Sequence, residues 1–171
     1  MKLPRLITLA LLLGFAGARL AAEGHTAAEM ATWRKAADNK IVAQKLVNDL
    51  LATHPDLLII GIHGKAPGAK EGSMIATNLD RVGKVSDEDD NAVADEHRII
   101  LELNKTDPNR FEVLIYMKDA AGKNLNAAVG FVFKYTGRES DIEMLTKGVA
   151  LRDELASKIP TWVSLFAPAK L

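Results

Sequence analysis

Two stretches in the middle of the chain leave little freedom in what it can fold into. Phe111, Val113, Ile115 and Met117 alternate with Glu112, Leu114, Tyr116 and Lys118, and a second apolar run follows from Leu125 to Tyr135. A period of two places alternate side chains on opposite faces of a strand. Asp119-Ala-Ala-Gly122 between the runs has the composition of a tight turn, so the pair predicts an antiparallel hairpin. A lone hairpin is marginal in water, and this one must find further strands and a covering layer.

The flanking sequence supplies both. Asp56 to His63 is a short β-branched apolar run that ends in the Gly64 to Gly72 loop, and Ser73 to Asn78 and Ile99 to Leu103 read as two more strands. Thr26-Ala-Ala-Glu29 has the form of a capping box. Met30, Trp33, Ala37, Ile41, Leu46 and Leu50 continue from it at helical spacing, so a long helix is expected up to Thr53-His54-Pro55. Ser86 with Asp89 suits the start of a short helix over residues 87–96, where acidic side chains face the positive end of the helix dipole. Ser140-Asp-Ile-Glu143 is a second capping box, opening a helix that carries Leu145, Val149, Leu155 and Ile159 to Pro160. The apolar tail from Trp162 to Phe166 is expected to dock on the body. The order is that of an α+β fold: a mainly antiparallel sheet with a long N-terminal helix, an inserted short helix and a C-terminal helix.

The N-terminus carries a different message. Met1-Lys-Leu-Pro-Arg5 is a positive n-region, Leu6 to Phe15 an apolar h-region, and Ala16-Gly-Ala18 and Leu20-Ala-Ala22 are two small-residue cleavage sites. The apolar run is shorter than the roughly 20 residues a bilayer-spanning helix needs, so residues 1–22 are expected to be a removed signal peptide. Residues 23–171 then form a single domain without a membrane span, periplasmic or secreted. The leader contains Lys2, Arg5 and Arg19 and no acid, so its loss turns a chain with 22 basic and 22 acidic residues slightly acidic. That balance argues against nucleic acid as a partner, which demands a strong basic excess. With no cysteine, the chain can form neither disulfides nor a thiolate metal site, and it has no thiol nucleophile.

Two strings give a family resemblance. Gly72-Ser-Met-Ile-Ala-Thr-Asn-Leu-Asp-Arg-Val-Gly-Lys-Val-Ser-Asp87 resembles the segment of extracytoplasmic Cache and PAS-like sensor domains in which a strand leads into a ligand-covering helix. Ile115 to Phe133, with its Asp-x-x-Gly turn, is similar to the closing hairpin of that family. The resemblance spans roughly residues 27–136. It implies a small-molecule pocket between the concave sheet face and the loop and helix after the second strand, with Ser73, Thr77 and Arg81 on that segment and Tyr116 and Lys118 on the hairpin. Family members commonly precede a kinase or chemotaxis module in a membrane receptor. This chain is expected instead to be a sensor-like binding domain without its own output module.

The residues themselves add candidates. His63 ends an apolar strand between Gly61 and Gly64, where backbone approaches a ligand closely. Arg81 and Arg98 could each hold a carboxylate through two hydrogen bonds. His63, Arg81, Arg98 and Tyr116 are therefore expected to orient a small polar or anionic ligand. Asp87, Asp89 and Asn91 match the start of an EF-hand loop, but Ala92 stands where glycine is required and Arg98 where a bidentate glutamate belongs, so no metal site is expected. The cofactor is left unknown, with non-covalent haem through His63 or His97 open. The sequence has no Gly-x-Ser-x-Gly elbow, phosphate loop or Ser-x-x-Lys pair, so no enzyme is expected. Two alternatives stand beside the binding domain. One is an accessory protein that docks on a periplasmic or membrane-bound signalling protein, and the other is a small enzyme using His63 with a carboxylate.

Overall fold

The computed structural model describes residues 40–169. The expected signal peptide, the Thr26 to Glu29 capping box and the stripe through Met30, Trp33 and Ala37 lie outside the described residues. Helix α1 spans Val42–Thr53. Strands β1 (Leu57–Gly64) and β2 (Ser73–Thr77) follow, then helix α2 (Glu88–Glu96) and strand β3 (Ile99–Leu103). Strands β4 (Arg110–Lys118) and β5 (Asn124–Lys134) form the hairpin, and helix α3 (Asp141–Ala156) and a 3-10 turn (Trp162–Phe166) close the chain. The five strands make one antiparallel sheet in the order β2-β1-β5-β4-β3. This is the expected α+β class and is compatible with a PAS-like fold.

The hairpin forms as its alternation dictates. Phe111 pairs with Phe133, Val113 with Phe131 and Ile115 with Val129, so one face is apolar along both strands. In the turn the Asp119 carboxylate accepts from the Ala121 and Lys123 amides, and Gly122 takes the positive φ of 80° that an L side chain resists. The apolar face is covered by α1 through Leu46, Val47 and Leu50 and by α3 through Met144, Leu151 and Leu155, which with the strand residues form one buried core. Gly148 lets α3 sit directly on β4, because a Cβ there would collide with Val113. The Gln44 amide on α1 also exchanges two hydrogen bonds with the Thr77 backbone, at 3.0 and 3.1 Å. Beyond β2, the Asn78 side chain prolongs the ladder by bonding Ile60 N and Leu58 O.

The long first helix is not continuous through its stripe. Ile41 is extended, at φ −127° and ψ 159°, and bridges Pro168, while Val42 N donates to Ala167 O. The returning C-terminal tail takes up backbone groups that a helix through Ile41 would have needed. At the other end of the chain α3 stops at Ala156 rather than at Pro160. Tighter turns follow, Lys158 N to Leu155 O and Ile159 N to Ala156 O, and they bury Ile159 while its carbonyl accepts from Ala120.

Candidate functional site

The second sheet face presents the even-numbered residues of β4 and β5 and, beyond an irregularity between Leu57 and Ile59, the odd-numbered residues of β1. It is covered differently. A strap over residues 81–87 runs back along the β2 edge. Gly83 N donates to Met74 O and Met74 N to Lys84 O, both at 2.8 Å, and Ser86 N donates to Gly72 O at 2.9 Å. From the strap α2 crosses over β5 and β4, seating Val93 and Ala94 on Leu114 and Ala128.

The start of α2 differs from the expected Ser86 and Asp89 pair by one residue. Asp87 is the N-cap, and its carboxylate accepts from Asp90 N while Asp90 Oδ2 accepts from Asp87 N, each at 3.1 Å. Ser86 is occupied elsewhere, with its backbone on Gly72 and its Oγ 3.4 Å from His63 Nδ1. The cap therefore turns Asp90 inward, onto the sheet.

There Asp90 Oδ2 lies 2.9 Å from His63 Nδ1, with both side chains 8% exposed. A carboxylate acceptor at that distance sets the hydrogen on Nδ1. Nε2 is directed over Gly61, 3.3 Å from where a Cβ on that glycine would sit. Burial works to raise the Asp90 pKa, but the hydrogen bond and charge of His63, aided by the Asp87 backbone and side chain, outweigh it and hold the carboxyl below the usual range.

Gly61 pairs with Gly130 across β1 and β5, so the sheet carries no side chain at two adjacent positions. Glu112 on β4 leans over this bare patch, its Oε1 3.0 Å from the position a Cβ on Gly130 would take. Burial pushes the Glu112 carboxyl up to about 7, the nearby charges of Glu102, Asp90 and Asp87 add to the rise, and His63 opposes it. Arg110, 3% exposed, pairs with Asp107 at 2.8 Å. Together these groups line a cleft of about 250 Å³ between sheet and strap, with Met74 and Val132 as apolar wall and Arg81 and Lys84 at the strap side. An adjoining hollow of about 150 Å³ shares Asp87, Asp90 and Glu112 and reaches Glu102 on β3.

Of the residues expected to bind a ligand, the cleft brings together His63 and Arg81. It does not bring in the other five candidates. Arg98 is exposed and paired with Glu96 at 2.6 Å. Thr77 is fully buried under α1, and its hydroxyl accepts from Leu79 N. Ser73 bridges Val85 at the sheet edge. Tyr116 lies on the face that α2 covers, but beyond the end of β3, where its ring meets His97 at 5.4 Å and the Arg152 guanidinium at 5.4 Å. Lys118 stands over the same ring at 5.6 Å.

Four contributors went unnoticed in the sequence: Asp90, Arg110, Glu112 and the Gly61–Gly130 pair. Glu112 was discoverable, as a lone acid in mid-strand flanked by apolar residues on the opposite face. Asp90 was hidden in a run of four acids, and only the capping geometry singles it out. Among the described residues no group of three or more His, Asp or Glu side chains is arranged to hold a metal ion, and no helix is long and apolar enough to cross a membrane.

No protein-family model matches the chain, and no curated protein is significantly similar to it in sequence. Among solved structures it is similar to the Agobacterium tumefaciens repressor BlcR, at 13% identity and a TM-score of 0.41. That match covers 68% of this chain and 66% of the repressor chain, and a likeness of this size carries no argument about fold or activity.

Proposed function

We propose that this protein is a periplasmic or secreted small-molecule-binding domain of the Cache/PAS-like kind, sensor-like and acting by binding rather than by turnover. The observation that carries the reading is the cleft built over two cross-strand glycines. These glycines let His63 Nε2 and Glu112 Oε1 lie close over the sheet, and Arg110, Arg81 and Lys84 line the same cleft. A few convergent polar groups in a concave site are what orient a small ligand. His63 Nε2 and the Glu112 carboxyl offer contacts from the sheet, and Arg81 and Lys84 line the strap side. Binding is favoured over catalysis because Ser86 approaches Nδ1, the nitrogen already committed to Asp90, and so does not form a base and nucleophile pair with Nε2.

A thermal-shift screen against organic acids, amino acids, purines, haem and divalent metals tests this. A ligand at a hundred times its dissociation constant adds about 2.7 kcal/mol, a rise of roughly 5 to 11 °C for a chain of this size. The shift should vanish in His63→Gln and survive in Lys118→Ala, which lies outside the cleft. A flat screen, or a shift indifferent to His63, would defeat the proposal.

A second reading is that of an accessory protein whose partner is another protein. It is favoured by a wider, open groove of about 390 Å³ where the β4–β5 turn meets the 3-10 segment, lined by Asp119, Leu125, Trp162 and Val163, the last 64% exposed.

A further inference from the structure

The cover over the cleft is held far more lightly than the opposite face of the sheet. Helix α2 has nine residues, fewer than the roughly 12 to 15 an isolated helix needs even to be marginal. Its apolar anchor is Val93 and Ala94 against Leu114 and Ala128. Its last turn carries no basic side chain, and it ends on His97 in the left-handed conformation, at φ 58°. What ties its first turn to the sheet is the buried His63–Asp90 pair, and what ties the strap is the short run of backbone bonds to β2.

Charge is crowded across this contact. From the strap and α2, Lys84, Asp87, Asp89 and Asp90 face the sheet side, with Arg81 also at the cleft. From the sheet come His63 on β1, Glu102 on β3, Arg110 and Glu112 on β4, and Lys105 in the β3–β4 turn, while β5 contributes Gly130 and Val132. Most of these acids have a partner: Asp87 has Lys84 at 3.8 Å, Asp90 has the His63 imidazole at 2.9 Å, Glu102 has Lys105 at 2.8 Å and, in the β3–β4 turn, Asp107 has Arg110 at 2.8 Å. Glu112 makes no hydrogen bond or ion pair with any described residue, although Asp90 and Glu102 both stand near it.

We propose that residues 81–96, the strap with α2, form a pH-gated cover, shut over the cleft while the Glu112 carboxyl carries its proton and loosened when Glu112 ionises. The protonated carboxyl is neutral and tolerates its neighbours. Once ionised it is a charge with no hydrogen-bond partner, facing Asp90 across the contact and Glu102 beside it, and water entering under α2 relieves both the repulsion and the desolvation. The buried midpoint near 7 places the change within the range where a periplasm or an exterior varies. The device needs no ligand to operate, so it stands or falls separately from the binding function.

Amide hydrogen exchange of the whole protein between pH 6 and 8, corrected for intrinsic rates, reads it directly. Protection in residues 83–96 should fall roughly three- to tenfold as pH rises through 7, with β4 and β5 unchanged. Glu112→Gln should keep that segment protected at both ends of the range. A flat profile in the native protein overturns the gate, and so does a fall that persists in Glu112→Gln, which would assign it to His63 and Asp90. Should that variant fail to fold, the carboxyl carbon of Glu112 in the native protein can be titrated by NMR. A midpoint matching the loss of protection supports the gate, and one near 4.5 overturns it.

Discussion

The two faces of one sheet are built from the same strands and have opposite characters. On the face under α1 and α3 the strand residues are Ile60, Ile62, Val113, Ile115, Val129, Phe131 and Phe133, all 1% exposed or less. On the face under α2 the same strands present Gly61, His63, Arg110, Glu112 and Gly130. The first face is filled and dry, and closely packed apolar area is where a domain of this size finds its stability. The second keeps a space and lines it with charge, which costs free energy unless every group is partnered. Labour is divided between the faces: one can hold unpartnered groups because the reverse side of the sheet holds the fold.

That division can be broken from either side. The largest effect should come from Phe131→Ala, which opens a cavity in the filled face and should cost about 3–5 kcal/mol in denaturant unfolding. A loss as small as that of a surface substitution would show that the filled face is not what holds the sheet.

Glu112→Gln should move stability the other way. The carboxyl titrates at about 7 in the folded protein against an ordinary 4.5, so the folded state retains a proton that the unfolded chain has released. Stability therefore falls as pH rises from 4.5 to 7 and is level above, by up to about 3 kcal/mol. The glutamine variant should lack this fall and be more stable than the native protein at pH 8, as thermal or urea unfolding across that range would reveal.

Gly148→Ala puts a methyl group into Val113 and should cost about 1–3 kcal/mol by overpacking, although alanine is the better helix former. A gain in stability would mean that α3 can lift from β4.

Asp90→Asn replaces the carboxylate that holds His63 with a neutral amide and weakens the α2 cap, for a loss of about 1–2 kcal/mol at neutral pH. Because the Asp90 pKa is held below its ordinary 3.8, its contribution in the native protein is present above that pH and fades as the pH falls through the depressed value. The difference between native and variant should therefore shrink in strong acid, which acid unfolding curves would check.

Much of the filled face was legible from residue pattern. The alternation through β4, the Asp119 turn and the Ser140 capping box each act over a few neighbouring residues, and the structure has all three. The helix expected through Ile41 failed for a non-local reason, since Pro168 and Ala167, more than a hundred residues away, claim its backbone. The lining of the cleft was legible only in part. His63 and Arg81 line it, whereas Arg98 was satisfied by its near neighbour Glu96, and Tyr116 lay on the correct face of β4 but past the end of β3.

Periodicity, turn chemistry and capping are properties of adjacent residues, and they suffice for the class of fold and the identity of the apolar face. The character of the other face depends on contacts between residues distant in the chain. The pairing of Gly61 with Gly130, the inward turn of Asp90 onto His63 and the burial of Glu112 among acids each depend on strand register and on where α2 lands. Those juxtapositions join residues up to 69 positions apart, and a charge or a glycine acquires its meaning from what stands opposite it in space.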